Sequence, residues 1–149
     1  MKRIILCDID GTLATIGDRA KILEKDKLTE KEYDEFNAQS ESSSCIEDIA
    51  NIIRNLKDSE TKIYLITARE KKWKKITQSW LKLNEIPYDN LLMRNDGDKN
   101  SDADVKLKIV KEYVNPKRVW FVLEDRDDVV QMYREDLGLT CLQVNKGDY

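Results

Sequence analysis

The sequence contains no histidine among its 149 residues. This absence excludes Ser-His-Asp and Cys-His catalysis, and any metal site with histidine ligands. The cysteines Cys7, Cys45 and Cys141 are odd in number and show no Cys-x-x-Cys spacing. That pattern predicts reduced thiols rather than a disulfide framework or a zinc site. Acid–base chemistry in this chain must therefore fall to carboxylates, lysine or tyrosine.

Long apolar runs and a large excess of one charge are also missing. No stretch approaches the roughly 20 apolar residues that cross a bilayer, and the N-terminus reads directly as a strand rather than a signal peptide. A net charge of −3, with 37% charged residues, argues against a strongly basic nucleic-acid-binding protein as a whole. We expect a cytoplasmic protein without a membrane partner, folded as a single domain over residues 1–149.

Two aspartates follow a short apolar run near the N-terminus. The chain from Ile4 to Thr12 reads IILCDIDGT. Residues i and i+2 of a strand point to the same side, so the carboxylates of Asp8 and Asp10 are expected to meet at one strand end. Two carboxylates so close repel each other and need a cation or a shared proton. An Asp-Gly hairpin turn is the structural alternative.

Apolar runs and helical periodicities alternate along the rest of the chain. Strands are predicted at 2–9, 62–67, 90–94, 118–123 and 140–144, with helices over 45–57, around 73–83, over 102–113 and around 129–133. This alternation indicates an α/β fold, with a parallel five-stranded sheet flanked by helices and a site at the carboxyl ends of its strands.

A charged segment at residues 20–44 separates the first strand from the first long amphipathic helix. Thr29 and Glu32 have the spacing of a capping box, which predicts a short helix in this segment. We expect a small helical cap over the site. A solvated helical excursion without contact to substrate is the alternative.

Polar groups also follow two later strands. Thr67 and Arg69 come at the end of the second strand, and Glu124 and Asp125 follow the fourth. Lys106 lies early in the helix before the fourth strand. Because the carboxyl ends of parallel strands meet at one edge, all of these side chains can converge on the two aspartates. An ordinary exposed helix lysine is the alternative for Lys106.

This ordered set resembles the four motifs of the haloacid dehalogenase-like (HAD) phosphotransferases, whose fold is Rossmann-like. The resemblance implies a nucleophile at Asp8, an acid–base at Asp10, a phosphoryl contact at Thr67 and a charge-compensating lysine at Lys106. It also implies a Mg²⁺ cofactor held by the carboxylates of Asp8 and Asp125 and the backbone carbonyl of Asp10. Glu124 stands where many members have aspartate, so it is expected to reach the metal through water or to contact the lysine.

A narrower resemblance is to the 3′-phosphatase domains of phage polynucleotide kinases. The matching residues are Asp8 to Ala14, Arg19, Thr67 to Glu70, Trp80, Ile86-Pro87, Asp102 to Lys106, Asp125-Arg126, Val129 to Met132 and the closing Gln143 to Tyr149. The resemblance implies substrate-binding roles for Arg19, Arg69, Asp102 and Thr12. Thr67 replaces the family's serine and keeps its hydroxyl. No G-x-x-x-x-G-K-[ST] motif occurs, so the kinase half is absent from this sequence.

The expected function is therefore removal of 3′-phosphates from nucleic-acid ends, beside a possible separate kinase or ligase partner. A phosphatase for free nucleotides or another small phosphomonoester is the first alternative, and a non-catalytic binding module with this fold is the second. Residues 62–82 hold seven basic residues against one acidic residue: Lys62, Arg69, Lys71, Lys72, Lys74, Lys75 and Lys82, against Glu70. This local excess could follow a phosphate backbone, or it could be an ordinary solvated face.

Overall fold

The structure is a computed structural model that describes residues 3–17 and 28–147. Five strands in this part of the chain form one sheet in the order β3-β2-β1-β4-β5, and all neighbours are parallel. The strands are β1 (Arg3–Cys7), β2 (Thr61–Glu70), β3 (Asn90–Arg94), β4 (Val119–Glu124) and β5 (Cys141–Gln143). The predicted parallel five-stranded α/β sheet is confirmed.

Helices connect the strands and cover the sheet. They are α1 (Glu30–Ala38), α2 (Glu47–Leu56), α3 (Lys74–Leu83), α4 (Asp102–Tyr113) and α5 (Asp127–Gln131), which continues as a π-helical turn (Met132–Asp136). Short 3-10 turns occupy Gln39–Ser42, Lys71–Trp73 and Pro116–Arg118. None of the described helices is both long enough and apolar enough to cross a membrane.

The central strand β1 divides the core into two halves. Ile5 and Cys7 belong to the cluster that contains residues of α2 and α3, whereas Ile4 and Leu6 belong to the cluster that contains residues of α4 and α5. Both faces of β1 are therefore covered, and all four side chains are buried. This explains why the strand reads as a continuous apolar run rather than an alternating one.

Strand β2 continues three residues beyond its predicted end at Thr67. Its pairing with β3 shifts register between Thr67 and Glu70, so the intervening residues form an irregularity within the strand. Such irregularities redirect side chains. Thr67 and Arg69 thus lie within the carboxyl end of β2, and both are buried.

Two large apolar residues at the ends of helices are exposed. Leu83 ends α3 with 78% of its surface exposed, and Tyr113 ends α4 with 59% exposed. A terminal helix residue has its own helix on one side only, which leaves it less covered. Trp73 precedes α3 and is half-buried, whereas Trp80 is buried in the core and donates a hydrogen bond to the carbonyl oxygen of Ser43.

The described part of the predicted cap consists of residues 28–44. The capping box exists: Thr29 N donates to Glu32, and Glu32 N donates to the Thr29 hydroxyl, at the start of α1. Lys72 forms an ion pair with Asp34 of α1 at 2.8 Å, which ties this helix to the turn after β2. Residues 18–27, including the predicted substrate-binding Arg19, lie outside the described residues.

Candidate active site

The parallel pairing of β1 and β4 brings two acidic segments together. Cys7 is the register partner of Leu123, and the Asp8 backbone N–H donates to the Leu123 carbonyl at 3.0 Å. The residues that follow each strand are therefore neighbours at the same edge. Asp8, Glu124 and Asp125 are buried, and one carboxylate oxygen from each lies within 4.8 Å of the others.

This oxygen-only donor set fits a hard divalent cation such as Mg²⁺. Buried carboxylates at such short range repel one another, and a cation relieves that repulsion. Thr12 lies between two of them, because its hydroxyl is 3.1 Å from Asp8 Oδ2 and 3.3 Å from Asp125 Oδ1. A hydroxyl has one hydrogen, so it can donate to only one of these oxygens at a time. Thr12 thus lies between Asp8 and Asp125, the two predicted metal ligands, and helps to position both.

Lys106 lies within this cluster rather than on the surface. Its Nζ donates to Asp8 Oδ1 at 2.8 Å and to Glu124 Oε2 at 2.7 Å, and its side chain is 3% exposed. Lys106 comes from the first turns of α4, which begins at Asp102 with a Ser101 cap. The interpretation as an ordinary exposed helix lysine is wrong, because both carboxylates hold the ammonium inside the site.

Glu124 uses both of its carboxylate oxygens within the protein. Oε2 accepts from Lys106, while Oε1 accepts from the backbone N–H groups of Asp125 and Arg126 at 3.1 and 3.2 Å. Of the two predicted roles for Glu124, the structure shows the lysine contact. The predicted approach to a metal stays a prediction.

Burial dominates the electrostatics of the site. Burial and then the Glu124 carboxylate raise the pKa of Asp8 well above its ordinary value, although Lys106 acts in the opposite direction. Burial alone would lower the pKa of Lys106, but the Asp8 and Glu124 carboxylates outweigh it and raise that pKa. The lysine is therefore charged. A bound divalent cation would likewise favour the ionised form of Asp8.

Asp10 faces a different partner from Asp8. Arg69 donates to it twice, from Nε to Oδ2 at 2.8 Å and from Nη2 to Oδ1 at 2.7 Å. Asp10 lies outside the cluster of Asp8, Glu124 and Asp125 described above, and the predicted metal contact through its backbone carbonyl stays a prediction. The two aspartates thus have distinct surroundings, which is what two distinct chemical roles require.

Arg69, predicted to bind substrate, is itself buried and held on a second side. Its Nη1 donates to the Thr77 hydroxyl at 2.9 Å, and that hydroxyl lies 2.8 Å from the Trp73 carbonyl oxygen. Burial opposes the charge, but Asp10 more than offsets it and raises the pKa of Arg69. Thr77 could not be found from the sequence, because a threonine inside an amphipathic helix carries no pattern that marks it.

The hydroxyl of Thr67 is held within β2, and its predicted contact with phosphate stays a prediction. Its hydroxyl oxygen accepts a hydrogen bond from the Arg69 backbone N–H at 3.1 Å. A hydroxyl that accepts in this way can still donate its hydrogen to a phosphoryl oxygen. The residue is 1% exposed and follows Leu65 in β2, which is the register partner of Cys7 in β1. Thr67 therefore lies at the same edge of the sheet as the two aspartates.

Asp102 links three elements of the site. Its Oδ1 accepts from Arg94 at 2.8 Å and its Oδ2 accepts from Arg126 at 2.9 Å. Arg94 also donates to the carbonyl oxygen of Ala68, between Thr67 and Arg69, at 2.7 Å. Arg94 was not among the predicted site residues, although a polar side chain at the end of β3 is the same signal that marked the others. Substrate contact by Asp102 itself stays a prediction.

The basic residues of 62–82 divide into several groups. Arg69 is buried in the site and Lys72 pairs with Asp34, while Lys62 is half-buried. The remaining four are exposed along the 3-10 turn and α3: Lys71, Lys74, Lys75 and Lys82. Lys71 precedes Lys74 and Lys75 by three and four residues, and Lys82 follows Lys75 by seven, so the four lie along one side of this segment. We call these four residues the basic face.

Comparisons with known proteins agree with this geometry. A family model described as the polynucleotide kinase PNKP phosphatase domain matches residues 2–149. A protein of Autographa californica nuclear polyhedrosis virus, named as a candidate bifunctional polynucleotide kinase/RNA ligase, is 27% identical over 135 residues. That match covers 89% of this chain and 18% of the viral protein.

Two solved structures are also similar to this chain. A chain of a Pnkp1/Rnl/Hen1 complex is 30% identical with a TM-score of 0.86, covering 100% of this chain and 48% of that one. A haloacid dehalogenase-like hydrolase from Streptococcus pneumoniae is 15% identical with a TM-score of 0.63, over 95% of this chain and 84% of that one. The second likeness shows the shared fold alone. The chain spans less than half the length of the viral protein and of the chain in the complex.

Proposed function

The chain belongs to the family of polynucleotide kinase PNKP phosphatase domains, which are HAD-type hydrolases, and on that premise we propose that it removes 3′-phosphates from nucleic-acid ends. The observation that carries the proposal is the buried contact of Lys106 with Asp8 at 2.8 Å, beside Asp125. A carboxylate held by an ammonium next to further acidic ligands is suited to attack a phosphate while a cation offsets the charge.

In the first step, an Asp8 carboxylate oxygen attacks phosphorus in line with the leaving oxygen. The new Asp8–phosphorus bond forms as the bond to the leaving oxygen breaks, and Asp10 gives its proton to that oxygen. In the second step, Asp10 takes a proton from water, which attacks phosphorus and releases Asp8. Thr67 donates to the phosphoryl oxygens, and Lys106 holds Asp8 in position.

Asp8 and Asp125 are the residues that would hold Mg²⁺. When bound, the ion supplies positive charge that offsets the repulsion between the phosphate and the Asp8 carboxylate. Thr12 lies between the Asp8 and Asp125 carboxylates, and Lys106 holds Asp8 beside Glu124. These contacts position the two predicted ligands without filling all of their lone pairs.

A nucleic-acid substrate is supported by the family and by the basic face. Lys71 lies in the turn directly after β2, whose carboxyl end carries Thr67 and Arg69, and the other three lysines continue along α3. A row of exposed lysines leading away from a phosphate site can contact the phosphodiesters of a strand. A free nucleotide would use only the phosphate site.

The decisive experiment compares substrates at equal concentration. A 3′-phosphorylated oligonucleotide should be hydrolysed with a kcat/KM at least tenfold above that of 3′- and 5′-mononucleotides. Hydrolysis of mononucleotides alone would contradict the polynucleotide hypothesis and favour a phosphatase of small phosphomonoesters. Asp8→Asn serves as the control, because it keeps the shape of the side chain and removes the nucleophile. Substantial residual turnover in this variant would contradict the role of Asp8.

The relatives also suggest a setting for this domain. One is named for kinase and ligase activities, and another is part of an assembly named for three components. We propose that this phosphatase acts in the cytoplasm beside a kinase or a ligase, since a terminus freed of its 3′-phosphate presents the hydroxyl that end-joining chemistry consumes. Copurification of kinase or ligase activity with the full-length protein from its native source is the corresponding test.

A further inference from the structure

We propose that Thr77 is a positioning residue for Asp10 and acts on it through Arg69. The inference rests on the proposed function, because it gives Thr77 a part in the same phosphoryl transfer. Thr77 lies in α3, outside the four motifs, and it touches neither the acidic cluster nor Asp10 in the described contacts. It is fully buried, at 0% exposure.

A continuous set of hydrogen bonds runs from α3 to Asp10. The Thr77 hydroxyl lies 2.8 Å from the Trp73 carbonyl oxygen and 2.9 Å from Arg69 Nη1. A carbonyl can only accept and a guanidinium can only donate. The single hydroxyl hydrogen therefore points to Trp73, and the Thr77 oxygen accepts from Arg69. The Trp73 carbonyl therefore fixes the Thr77 hydroxyl oxygen as an acceptor for Arg69.

The rigid guanidinium of Arg69 transmits the orientation set by Thr77 to Asp10. Its donors lie in one plane, so the bond to Thr77 and the two bonds to Asp10 together define the orientation of that plane. The two Asp10 bonds, at 2.8 and 2.7 Å, then set the orientation of the carboxylate. With the Thr77 bond removed, a buried N–H would lack its partner and the guanidinium would turn to find another.

The chemical consequence falls on the leaving oxygen. Asp10 must present its proton to that oxygen as the bond to phosphorus breaks, and a small misplacement weakens proton transfer. A sugar alkoxide is a poor leaving group and needs the proton. Nitrophenolate is a good leaving group, so its departure depends little on the proton from Asp10. Loss of positioning should therefore slow phosphoryl transfer from the sugar phosphate and spare that from the aryl phosphate. The second step, in which Asp10 takes a proton from water, is common to both substrates and lies outside kcat/KM, which reports only the steps up to departure of the leaving group.

The test compares Thr77→Val with Thr77→Ser on two substrates, a 3′-phosphorylated oligonucleotide and p-nitrophenyl phosphate. Valine keeps the volume and removes the hydroxyl, while serine keeps the hydroxyl. Thr77→Val should lower kcat/KM on the oligonucleotide by about tenfold to a hundredfold and change kcat/KM on the aryl phosphate by less than about threefold. Thr77→Ser should restore the ratio of the two kcat/KM values. Ser79→Ala, at an exposed position of the same helix, is the matched control and should leave both unchanged.

Two results would overturn the inference while the proposed function stands. An equal loss on both substrates would show that Thr77 supports only the fold, and no loss on either would show that Asp10 is oriented without it. Should Thr77→Val fail to fold by circular dichroism, Thr77→Ala is judged by the same ratio. Failure of the proposed function looks different, because the unmodified protein would then not hydrolyse the oligonucleotide above the level of Asp8→Asn.

Discussion

Lys106 keeps its positive charge where water has little access. Its ammonium contacts Asp8 and Glu124 at 2.8 and 2.7 Å, so the three charges are stable only together. Removing one partner from a buried ion pair leaves the others without compensation, which usually costs more than the pair itself contributes. The lysine therefore serves both the catalytic site and the fold.

Replacement of Lys106 by methionine should lower the free energy of unfolding by about 3–5 kcal/mol at neutral pH and abolish phosphatase activity. The loss should shrink near pH 4, because the raised pKa values of Asp8 and Glu124 mean that protonation relieves their repulsion in the folded state. Urea unfolding at both pH values measures the effect. Lys108→Met, at an exposed position of α4, is the control. A loss that grew as the pH fell would contradict the assigned charges.

The thiols give a second prediction about single residues. Burial and then the Asp8 carboxylate raise the pKa of Cys7, and burial and then Glu124 raise the pKa of Cys141 to about 12, so both stay protonated near pH 8. Cys45 is half-buried. A thiol reagent should therefore modify one cysteine quickly in the folded protein and three in denaturant. If the reagent still modified the folded Cys45→Ser variant quickly, Cys45 would not be the reactive cysteine.

The clustering of the site residues could be predicted from sequence because each lies in or beside a short motif. Asp8 follows an apolar run, and Glu124 and Asp125 follow another, so their meeting required only a parallel sheet. Arg69 could likewise be placed at the edge where the aspartates meet, but not the pairs that it forms there. Asp10 is 59 residues away in the chain and Thr77 is eight, and neither spacing marks a contact. The bond to Thr77 depends on where α3 lies, which no pattern in the sequence gives.

The length of the strand β2 was likewise beyond what the sequence could predict. Its apolar run ends at Thr67, and the polar residues that follow predict a loop. They stay in the strand because they have buried partners: Arg69 has Asp10, and Glu70 accepts from the Gly97 backbone N–H at 2.9 Å. Only the folded molecule supplies these partners, so the end of the strand could not be predicted from the sequence alone.

The segment after β5 closes against the turn that carries Asp125. The Gly147 carbonyl accepts from the Asp127 backbone N–H at 2.9 Å. A Cβ added at Gly147 would overlap the Asp125 carbonyl oxygen and the Arg126 backbone. Backbone atoms cannot give way as side chains do, so this position requires glycine.

Gly147→Ala should therefore displace the Asp125 turn and raise the Mg²⁺ concentration needed for half-maximal activity, by about tenfold if the displacement reaches an ångström. Activity measured against Mg²⁺ concentration tests this. Lys146→Ala, at the exposed neighbouring position, controls for a change in this segment. An unchanged Mg²⁺ requirement in a folded Gly147→Ala protein would show that the segment does not support Asp125.

At the scale of the whole molecule, the charge is unevenly distributed. The net charge is −3, yet the basic face presents four exposed lysines beside the site. The sequence predicted this excess, but only the structure separated Lys72, which holds α1 through Asp34, from the lysines that are available to a substrate. A test of nucleic-acid binding should leave Lys72 in place.

Replacing Lys71, Lys74 and Lys75 together with glutamine should raise the KM for a 3′-phosphorylated oligonucleotide and flatten its dependence on salt. The log–log slope should fall by roughly 0.7 for each phosphate that the protein no longer neutralises. Hydrolysis of p-nitrophenyl phosphate should not change. The control replaces Lys111, Lys117 and Lys146, which are exposed on other parts of the chain. Equal effects of the two triple variants would indicate non-specific attraction, and no effect of the first would make the basic face an ordinary solvated surface.

The position of β1 at the middle of the sheet has a consequence for how the protein is made. Its neighbour β4 comes late in the chain, and Thr12 meets Asp125 across 113 residues of sequence. Contacts between distant residues form slowly. A ribosome-bound chain that has reached only the end of α4 holds Asp8, Thr67 and Lys106, but it lacks β4, Glu124 and Asp125. On the proposed function, the growing polypeptide should therefore stay inactive toward phosphate esters until β4 joins the sheet.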